Sequence, residues 1–251
     1  MRLAILSDIH GNAYALDVAL ADLEKHPADA MVCLGDAIQG GCQPRETVMR
    51  LRSLAIPIVM GNADAWLLSG GDEIGPNEKI SVERFQKMKA VREWSLSQLS
   101  EDDRAFIQSF QPTITIPLSD AKNLLCYHGT PASYDEILLP DTPYETFVKA
   151  LGGDAQFIYC GGHTHVQFLR RVGDSFHFNP GSVGLASRHH QPEDDYKFDA
   201  VAEYAVLTVE GARVALEFRR VPYGAHVVIE NYRASGRPFA DEMMKQYGRE
   251  T

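Results

Sequence analysis

The 251-residue sequence predicts an α/β fold built on two sheets. Short apolar runs alternate with helical patterns through residues 1–60, and this order favours parallel strands joined by right-handed crossovers. After about residue 113, short strand-like segments dominate, and turns such as Gly173-Asp174 and Glu210-Gly211 join them as hairpins. A long helical stretch lies between these two parts.

The N-terminal elements follow from apolar spacing and from residues suited to helix starts. Asn12 can cap the first helix because its side chain accepts an N–H, and the leucines at positions 16, 20 and 23 share one face of that helix. Pro44 begins a second helix, since proline fits the first helical turn. The predicted strands of this part are Arg2–Ser7, Ala30–Leu34 and Ile56–Met60.

The middle of the chain is predicted to be helical. A polar, Gly-rich loop follows Asp64, and a helical pattern then runs from about Ser81 to Phe110, with a fresh helix start at Ser100 and Asp103. We interpret residues 66–110 as a helical insertion beside the main sheet, within a single domain over residues 1–251. The later predicted strands are Thr113–Pro117, Asn123–Tyr127, Gln156–Cys160, Gln167–Val172, Ser175–Phe178, Glu203–Val209 and Val214–Val221, and the later helices are Tyr144–Leu151 and Phe239–Gln246.

Composition and charge exclude several classes of protein. The formal charge of −10 opposes binding to the phosphate backbone of long nucleic acids. No apolar run reaches the roughly 18–20 residues that span a bilayer, so we predict no membrane partner and a cytoplasmic protein. The four cysteines form no CxxC pair and are predicted to be buried, reduced thiols. They are Cys33, Cys42, Cys126 and Cys160.

Five short polar motifs each follow an apolar, strand-like run. They are Asp8-Ile-His10-Gly-Asn12, Gly35-Asp36, Gly61-Asn62-Ala63-Asp64, His128-Gly129 and Gly162-His163-Thr164-His165. Because the carboxyl ends of parallel strands meet at one edge of a sheet, we expect the motifs to converge there. They offer carboxylate, amide and imidazole ligands without thiolate, a set that suits Mn, Fe, Zn, Ni or Co.

The predicted metal ligands are Asp8, His10, Asp36, Asn62, His128, His163 and His165. This set is too large for one ion. If one carboxylate bridges, it holds two divalent transition-metal ions roughly 3.5–4 Å apart, the spacing of two-metal hydrolases. Manganese is the metal that we favour among those named.

The motif series ends in Asn179-Pro-Gly-Ser182-Val-Gly184 and resembles the calcineurin-like metallophosphoesterase superfamily, most closely its small bacterial and archaeal phosphodiesterase branch. The resemblance covers about residues 1–220. It implies a four-layer α/β/β/α sandwich of two mixed sheets, in which Asn179–Gly184 closes the core beside the site. It also implies that a hydroxide held by two metals attacks phosphorus in line. The implied ligands are Asp8, His10 and His165 for the first metal and Asn62, His128 and His163 for the second, with Asp36 as the bridge.

One position departs from this resemblance. Many superfamily members have a histidine directly after the asparagine of the third motif, where it assists the leaving group, and the small branch often has a cysteine; here the residue is Ala63. Alanine donates no proton, so a general-acid contribution of about 10²–10⁴ is missing and good leaving groups should be preferred. Asn12 and Asp64 are predicted to support the site through hydrogen bonds. The predicted catalytic residues are Asp36, Asn62, Asp64 and Asn12.

These residues predict a metal-dependent phosphoesterase that hydrolyses phosphodiester or phosphoanhydride bonds of a small phosphorylated or nucleotide substrate. The alternatives within this class are a phosphomonoesterase or protein Ser/Thr phosphatase and a dinucleoside-polyphosphate hydrolase. From another class, a non-catalytic binding scaffold with the same fold, like the retromer subunit, stays open. The sequence does not determine the physiological substrate, the native metal pair or the oligomeric state.

A few further side chains are candidates for the pocket or the core. Aromatic lining from Trp66, Trp94 or Tyr134 would favour nucleotides. His189 or His190 is a candidate for substrate contact from the loop Ser187–Lys197. The residues expected to be structural or at the surface are Thr130, His177, His26 and His226.

Overall fold

The computed structural model describes residues 1–70, 81–119, 122–154, 156–188, 190–192 and 195–247. The strands are β1 (Arg2–Leu6), β2 (Ala30–Cys33), β3 (Ile114–Ser119), β4 (Lys122–Cys126), β5 (Phe157–Cys160), β6 (Phe168–Val172), β7 (Ser175–Asn179), β8 (Val201–Glu210) and β9 (Arg213–Pro222). The helices are α1 (Ala13–Lys25), α2 (Pro44–Leu54), α3 (Asn62–Ser69), α4 (Val82–Gln98), α5 (Glu101–Gln108), α6 (Tyr144–Leu151), α7 (Ala225–Ser235) and α8 (Ala240–Gln246).

Two mixed sheets form the centre of the fold. The first sheet has the strand order β2-β1-β8-β9, and the second has the order β3-β4-β5-β7-β6. Strand β1 pairs parallel with β2, and β4 pairs parallel with β5, whereas β8 and β9 form a long antiparallel hairpin. Each parallel pair therefore directs the loops after its two strands to the same edge of its sheet.

Apolar packing divides the structure into four layers. One cluster joins Leu16 of α1 to the outer face of the first sheet, to which Leu6 contributes. Because successive strand residues point to opposite faces, Ile5 faces the other way and packs with Leu124 of the second sheet. The far face of the second sheet is covered by α6 through Phe147. The predicted α/β/β/α sandwich of two mixed sheets is confirmed.

Local sequence signals set where several helices begin. Asn12 caps α1, with its Oδ1 accepting the N–H of Ala15 at 3.0 Å, and Pro44 occupies the first turn of α2. Ser100 and Asp103 form a reciprocal capping box at the start of α5. These contacts satisfy N–H groups that have no partner within the helix.

The strand that the sequence predicts at Ile56–Met60 is reduced to two isolated bridges. Ile58 pairs with Cys33 and Val59 pairs with Gln111, both in parallel. This segment lies between the end of β2 on one side and the residues after α5 on the other. Helix α3 begins at Asn62, so the segment pairs with its neighbours over only two residues. The prediction of a full third strand is wrong.

The loop that the sequence predicts after Asp64 begins instead with helix α3. Asp64 is buried, and its carboxylate accepts the N–H groups of Ala37 and Ile38, each at 2.9 Å, which anchors the first turn. Gly70 ends the helix in the left-handed conformation that glycine allows. This anchoring comes from another part of the chain and is invisible in local sequence. The rest of the predicted loop, residues 71–80, lies outside the described residues.

Helices α7 and α8 form a small core of their own, and the sequence reasoning does not predict α7. Val228 and Tyr232, four residues apart on α7, are both buried. They belong to an apolar cluster with Cys42, Leu185, Phe198 and Tyr247. No helix in the described part of the chain is long and apolar enough to cross a membrane. The division into one domain with an insertion at 66–110 stays a prediction.

Candidate metal centre

Loops from both sheets meet at one end of the sandwich. The motifs converge after strands as the sequence predicts, and the strands that carry them belong to both sheets. Asp8 and Asp36 follow β1 and β2 of the first sheet, whereas His128 and the pair His163 and His165 follow β4 and β5 of the second. The side chains form two groups, and within each group the potential ligand atoms all lie within 4.8 Å of one another. The groups are Asp8, His10 and His165, and Asp36, His128 and His163.

The first group is tightly packed. His165 Nε2 lies 3.3 Å from Asp8 Oδ1 and 3.1 Å from His10 Nε2. His10 Nε2 is 3.9 Å from Asp8 Oδ1. Asp8 and His10 are buried, and Asp8 Oδ1 has no hydrogen-bond partner among the described residues. A buried carboxylate oxygen without a partner is costly, so this position is suited to a cation.

Asp36 lies between the two groups. Its Oδ2 is 3.3 Å from His128 Nε2 and 3.7 Å from His10 Nε2. In the second group, Asn62 Oδ1 lies 3.0 Å from His128 Nε2, and the rings of His128 and His163 are 5.1 Å apart between centroids. The structure thus brings all seven predicted ligands to one place, and Asp36 Oδ2 lies close to a histidine of each group.

Backbone carbonyls fix the orientation of three imidazole rings. The Nδ1 atoms of His10, His128 and His165 lie 2.7, 2.8 and 3.0 Å from the carbonyl oxygens of Gln39, Leu34 and Leu185, respectively. A carbonyl only accepts, so each Nδ1 carries a proton, and each Nε2 is directed into the site, where it offers a lone pair when the ring is neutral. Two such lone pairs, on His10 and His165, then face each other at 3.1 Å. This arrangement is repulsive unless a cation or a proton lies between them, and it is typical of metal-binding histidines.

The charges of the site are strongly coupled. Burial alone would raise the pKa of Asp36, but the nearby His128 lowers it below its usual range, and His165 does the same for Asp8. Burial opposes protonation of His128 as well, yet Asp36 raises the pKa of that imidazole to about 10. Without a metal, His128 is therefore protonated at neutral pH and supplies the positive charge that the carboxylates require.

The backbone of the site is strained. The angle φ is 53° at Asp8, 49° at His10, 48° at Asp36, 69° at His163 and 58° at His165. Non-glycine residues rarely adopt this left-handed conformation, which costs about 1 kcal/mol or more for each residue. The described chain has eight non-glycine residues with positive φ, and these five are among them. The loops are therefore held in bent conformations that direct the ligands inward.

Asn12 and Asp64 hold loops of the site through hydrogen bonds to backbone atoms. Besides capping α1, Asn12 donates from Nδ2 to the carbonyl of Gly184 at 3.0 Å. Asp64 binds the backbone directly after Asp36 through Ala37 and Ile38. Burial and the neighbouring Asp36 raise the pKa of Asp64 to about 7. These contacts position the segments that carry Asp36 and His10, and the catalytic roles of Asn12 and Asp64 stay predictions.

The segment Asn179–Gly184 joins the loops of the two sheets. Ser182 Oγ donates to the carbonyl of Asp8 at 2.7 Å, and Asn179 Nδ2 donates to the carbonyl of Gly162 at 2.6 Å. The backbone N–H of Gly184 also donates to the Asp8 carbonyl. The segment is structural, in agreement with the sequence analysis. Ser7 is a support that the sequence reasoning misses: its hydroxyl donates to Asp8 Oδ2 at 2.5 Å.

Gly61 permits the close approach of Asp36. A Cβ atom at position 61 would overlap the backbone nitrogen and Oδ1 of Asp36. We expect Gly61→Ala to displace this carboxylate and to lower metal-dependent turnover about 100-fold, because a shift of about 1 Å at a reacting centre has that effect. Bound metal by elemental analysis and phosphodiester turnover check this.

The matched control for that substitution is Gly173→Ala, since a Cβ at position 173 would meet no atom within 4 Å. Its backbone is left-handed and far from the metal centre, so it reports loss of stability without displacement of Asp36. Full metal content and wild-type turnover in Gly61→Ala would contradict the expectation.

The remaining described side chains considered in the sequence analysis are structural residues, surface residues or buried cysteines. Thr130 Oγ1 donates to Glu136 Oε2 at 2.9 Å and holds its own loop, which confirms the structural assignment. His177 is a buried core residue whose Nδ1 is hydrogen-bonded to the Tyr127 hydroxyl at 2.8 Å, and burial lowers its pKa to about 3. The Nε2 atom of His190 lies 4.0 Å from Asp141 Oδ2. His189 lies outside the described residues. His26 and His226 are exposed, and the cysteines Cys33, Cys42, Cys126 and Cys160 are buried and free, as predicted.

A cavity of about 520 Å³ opens beside the metal centre. Its wall includes His10, Asn62 and Ala63 from the site and Trp66 from α3. Trp94 and Tyr134, the other aromatic residues considered for a pocket, are not among its lining residues. The opposite wall comes from α4 and from the C-terminal segment around α8, whose contribution has no signal in local sequence. Those residues are Arg84, Lys87, Met88 and Val91, and Arg237, Phe239, Glu242, Met243 and Gln246.

Comparison with known proteins identifies the family. The sequence model of the calcineurin-like phosphoesterase superfamily domain matches residues 1–212. The chain belongs to this superfamily. Membership supports a hydrolase that acts on phosphoric esters with the help of divalent metal ions. Helices α7 and α8 lie beyond the matched residues.

Relatives of this phosphoesterase come from archaea and bacteria. An uncharacterised protein of Methanocaldococcus jannaschii is 28% identical over 239 residues, which cover 88% of this chain and 87% of that protein. A metallophosphoesterase from Sphaerobacter thermophilus has a similar structure, with a TM-score of 0.68, 24% identity and coverage of 98% and 97% of the two chains. The hypothetical protein PH1004 from Pyrococcus horikoshii OT3 has a TM-score of 0.76, 18% identity and coverage of 100% and 99%. These structural likenesses establish the shared fold.

Proposed function

We propose that this superfamily member is a two-metal phosphoesterase that hydrolyses phosphodiester or phosphoanhydride bonds of small or nucleotide substrates. The observation that carries the proposal is the pair of facing Nε2 atoms on His10 and His165 beside the unpartnered Asp8 Oδ1. Three electron-pair donors directed at one point are suited to a cation. The proposed ligands are Asp8, His10 and His165 for one ion and Asn62, His128 and His163 for the other, with Asp36 shared.

The chemistry divides between the ions and the protein. Two bound divalent ions, with manganese favoured over Fe, Zn, Ni or Co, would act as Lewis acids and lower the pKa of water at the site. The carbonyls of Gln39, Leu34 and Leu185 keep three imidazoles in one orientation, and Asp64 holds the loop of Asp36 in place. The protein thus presents a preorganised set of ligands to the two ions, which would in turn contact the phosphoryl group.

The leaving group receives little help from the third motif. Ala63 lines the cavity and has no proton to donate, although its backbone N–H donates to Asp36 Oδ1 at 2.8 Å. The proposal therefore favours substrates whose leaving group departs as a stable anion, such as an aryl oxide or a phosphate. We further propose that the partner is a small phosphorylated substrate, that the protein binds no long nucleic acid, and that it is cytoplasmic.

The test is hydrolysis of bis(p-nitrophenyl) phosphate against p-nitrophenyl phosphate by protein that has been stripped of metal and reloaded with Mn²⁺. Turnover of the diester above the monoester supports the phosphodiesterase. A preference for the monoester would favour the phosphomonoesterase alternative. No turnover of either ester with Mn²⁺, Fe²⁺, Ni²⁺, Zn²⁺ or Co²⁺ would contradict the proposal and favour a binding scaffold.

Substitution of Ala63 by histidine tests the missing proton donor. We expect Ala63→His to raise turnover of an alkyl phosphodiester by about 10²-fold, because a positioned general acid contributes that much when the leaving group is poor. Turnover of bis(p-nitrophenyl) phosphate should change little, since p-nitrophenolate needs no proton. Equal gains on both substrates would refute the proton-donor explanation, and Ala63→Phe, which adds bulk without a proton, is the matched control.

A further inference from the structure

The cavity beside the metal centre has a wall formed by residues beyond the part of the chain that matches the superfamily domain. Arg237 follows α7 and lines this cavity together with His10, although the matched residues end at 212. Its guanidinium Nε donates to the carbonyl of Gly40 at 2.9 Å. Gly40 itself packs on the ring of His10, because a Cβ at position 40 would lie 3.2 Å from His10 Nδ1. Arg237 is therefore one residue removed from a metal ligand.

The Arg237 guanidinium is half-buried and has unused hydrogen-bonding capacity. A guanidinium has five N–H donors. One donates to the carbonyl of Gly40, and one on Nη1 donates to the carbonyl of Pro238 at 2.9 Å. Among the described residues, no carboxylate forms a salt bridge with Arg237; desolvation lowers its pKa, the more distant Glu242 only partly opposes this, and the guanidinium lies 5.6 Å from the centre of the Tyr232 ring. A half-buried cation without a counter-ion is costly unless a ligand supplies the negative charge.

Other cations at the cavity are neutralised or exposed. Lys87 Nζ lies 2.8 Å from Glu242 Oε1 and 3.2 Å from Glu83 Oε1, so its charge is already balanced. Arg84 is exposed to solvent at the surface of α4. Arg237 thus combines partial burial, lack of a salt bridge among the described residues and proximity to His10. Its planar fork matches the paired oxygens of a phosphate or a carboxylate.

We propose that Arg237 binds a second anionic group of the substrate, so that the preferred substrate carries a phosphate or carboxylate next to the phosphoryl group that is cleaved. A phosphoanhydride meets this requirement, because its neighbouring phosphate remains anionic while the scissile phosphoryl group lies at the metals. The inference rests on the proposed function only for the position of that phosphoryl group.

The first measurement is binding to the manganese-loaded wild-type protein by calorimetry. Methylphosphonate carries one anionic group, methylenediphosphonate carries two phosphonates, and phosphonoacetate carries a phosphonate and a carboxylate. We expect methylenediphosphonate, phosphonoacetate or both to bind at least about tenfold more tightly than methylphosphonate, since a charge-assisted contact to a guanidinium has that effect. The stronger of the two identifies the anion as phosphate or carboxylate. No preference for either over methylphosphonate would overturn the inference.

The second measurement removes the guanidinium. In Arg237→Met, the preference for the doubly anionic ligand should fall by about 10- to 100-fold, while affinity for methylphosphonate should stay within about threefold. Arg237→Gln, which keeps an N–H donor for the Gly40 carbonyl, is measured in parallel and should lose the preference as well. Arg233→Met is the matched control, because Arg233 is an exposed arginine on the same C-terminal segment and does not line the cavity.

The outcomes separate this inference from the proposed function. If wild-type protein hydrolyses bis(p-nitrophenyl) phosphate but Arg237→Gln retains the full ligand preference, only the role of Arg237 is refuted. If Arg237→Gln loses affinity equally for all three ligands, the side chain supports His10 through Gly40 and the second-anion role is overturned. Selective loss for the doubly anionic ligand supports the inference, even if the natural substrate is still unidentified.

Discussion

Asp36→Asn is expected to reduce metal-dependent phosphodiester turnover by at least about 10³-fold. The Asp36 carboxylate lies between the two groups of ligands, with Oδ2 at 3.3 Å from His128 Nε2 and 3.7 Å from His10 Nε2. Asparagine has nearly the same shape but carries no charge, so its side chain would bind both metal ions more weakly than the carboxylate does. Loss of several kcal/mol of charge stabilisation at a two-metal site corresponds to this reduction in rate. Turnover of bis(p-nitrophenyl) phosphate and bound metal per chain are the measurements.

The control for this substitution makes the same chemical change at the surface. Asp17 pairs with Arg50 at 2.8 Å, and its side chain is 45% exposed, so Asp17→Asn should leave turnover within about twofold because exposed ion pairs contribute little. Thermal unfolding of both variants shows whether each is folded. If Asp36→Asn retained more than about a tenth of wild-type turnover, Asp36 would not bridge two metals.

Removal of metal is expected to abolish turnover, and metal affinity should rise with pH. In the metal-free protein, Asp36 raises the pKa of His128 to about 10, so His128 is protonated at pH 7 and must lose its proton before its Nε2 can bind a metal. When metal binding releases one proton, the apparent affinity for the metal increases about tenfold for each unit by which the pH rises, as long as the pH is below this pKa. We therefore expect manganese to bind at least about tenfold more tightly at pH 8 than at pH 7.

Calorimetry in two buffers with different ionisation enthalpies measures the number of protons released, and elemental analysis measures metal per chain. Two ions per chain with proton release are expected. In His165→Ala, the first group loses the side chain that faces His10, so the content should fall toward one ion. One ion in the wild-type protein, or an affinity that does not change with pH, would contradict the two-metal arrangement.

The sequence predicts the elements whose causes are local. Asn12, Pro44 and the pair Ser100 and Asp103 begin helices at the predicted positions, because capping depends on residues only a few positions apart. The bridge at Ile58 and helix α3 are mispredicted because contacts from distant segments determine them. The N–H groups of Ala37 and Ile38 bind Asp64, and no pattern within residues 61–70 reveals that bond.

The same division applies to the candidate site. The sequence by itself determined the seven candidate ligands and the absence of a proton donor at Ala63, because residue type sets ligand chemistry and the motifs follow strands. Tertiary structure decided which imidazoles face each other, since carbonyls from Gln39 and Leu185 orient them. It also decided that Arg237 lines a cavity with His10, 227 positions earlier in the chain (237 − 10). Chain folding alone creates such proximity, since the burial and pairing of a charge depend on segments that are far apart in sequence.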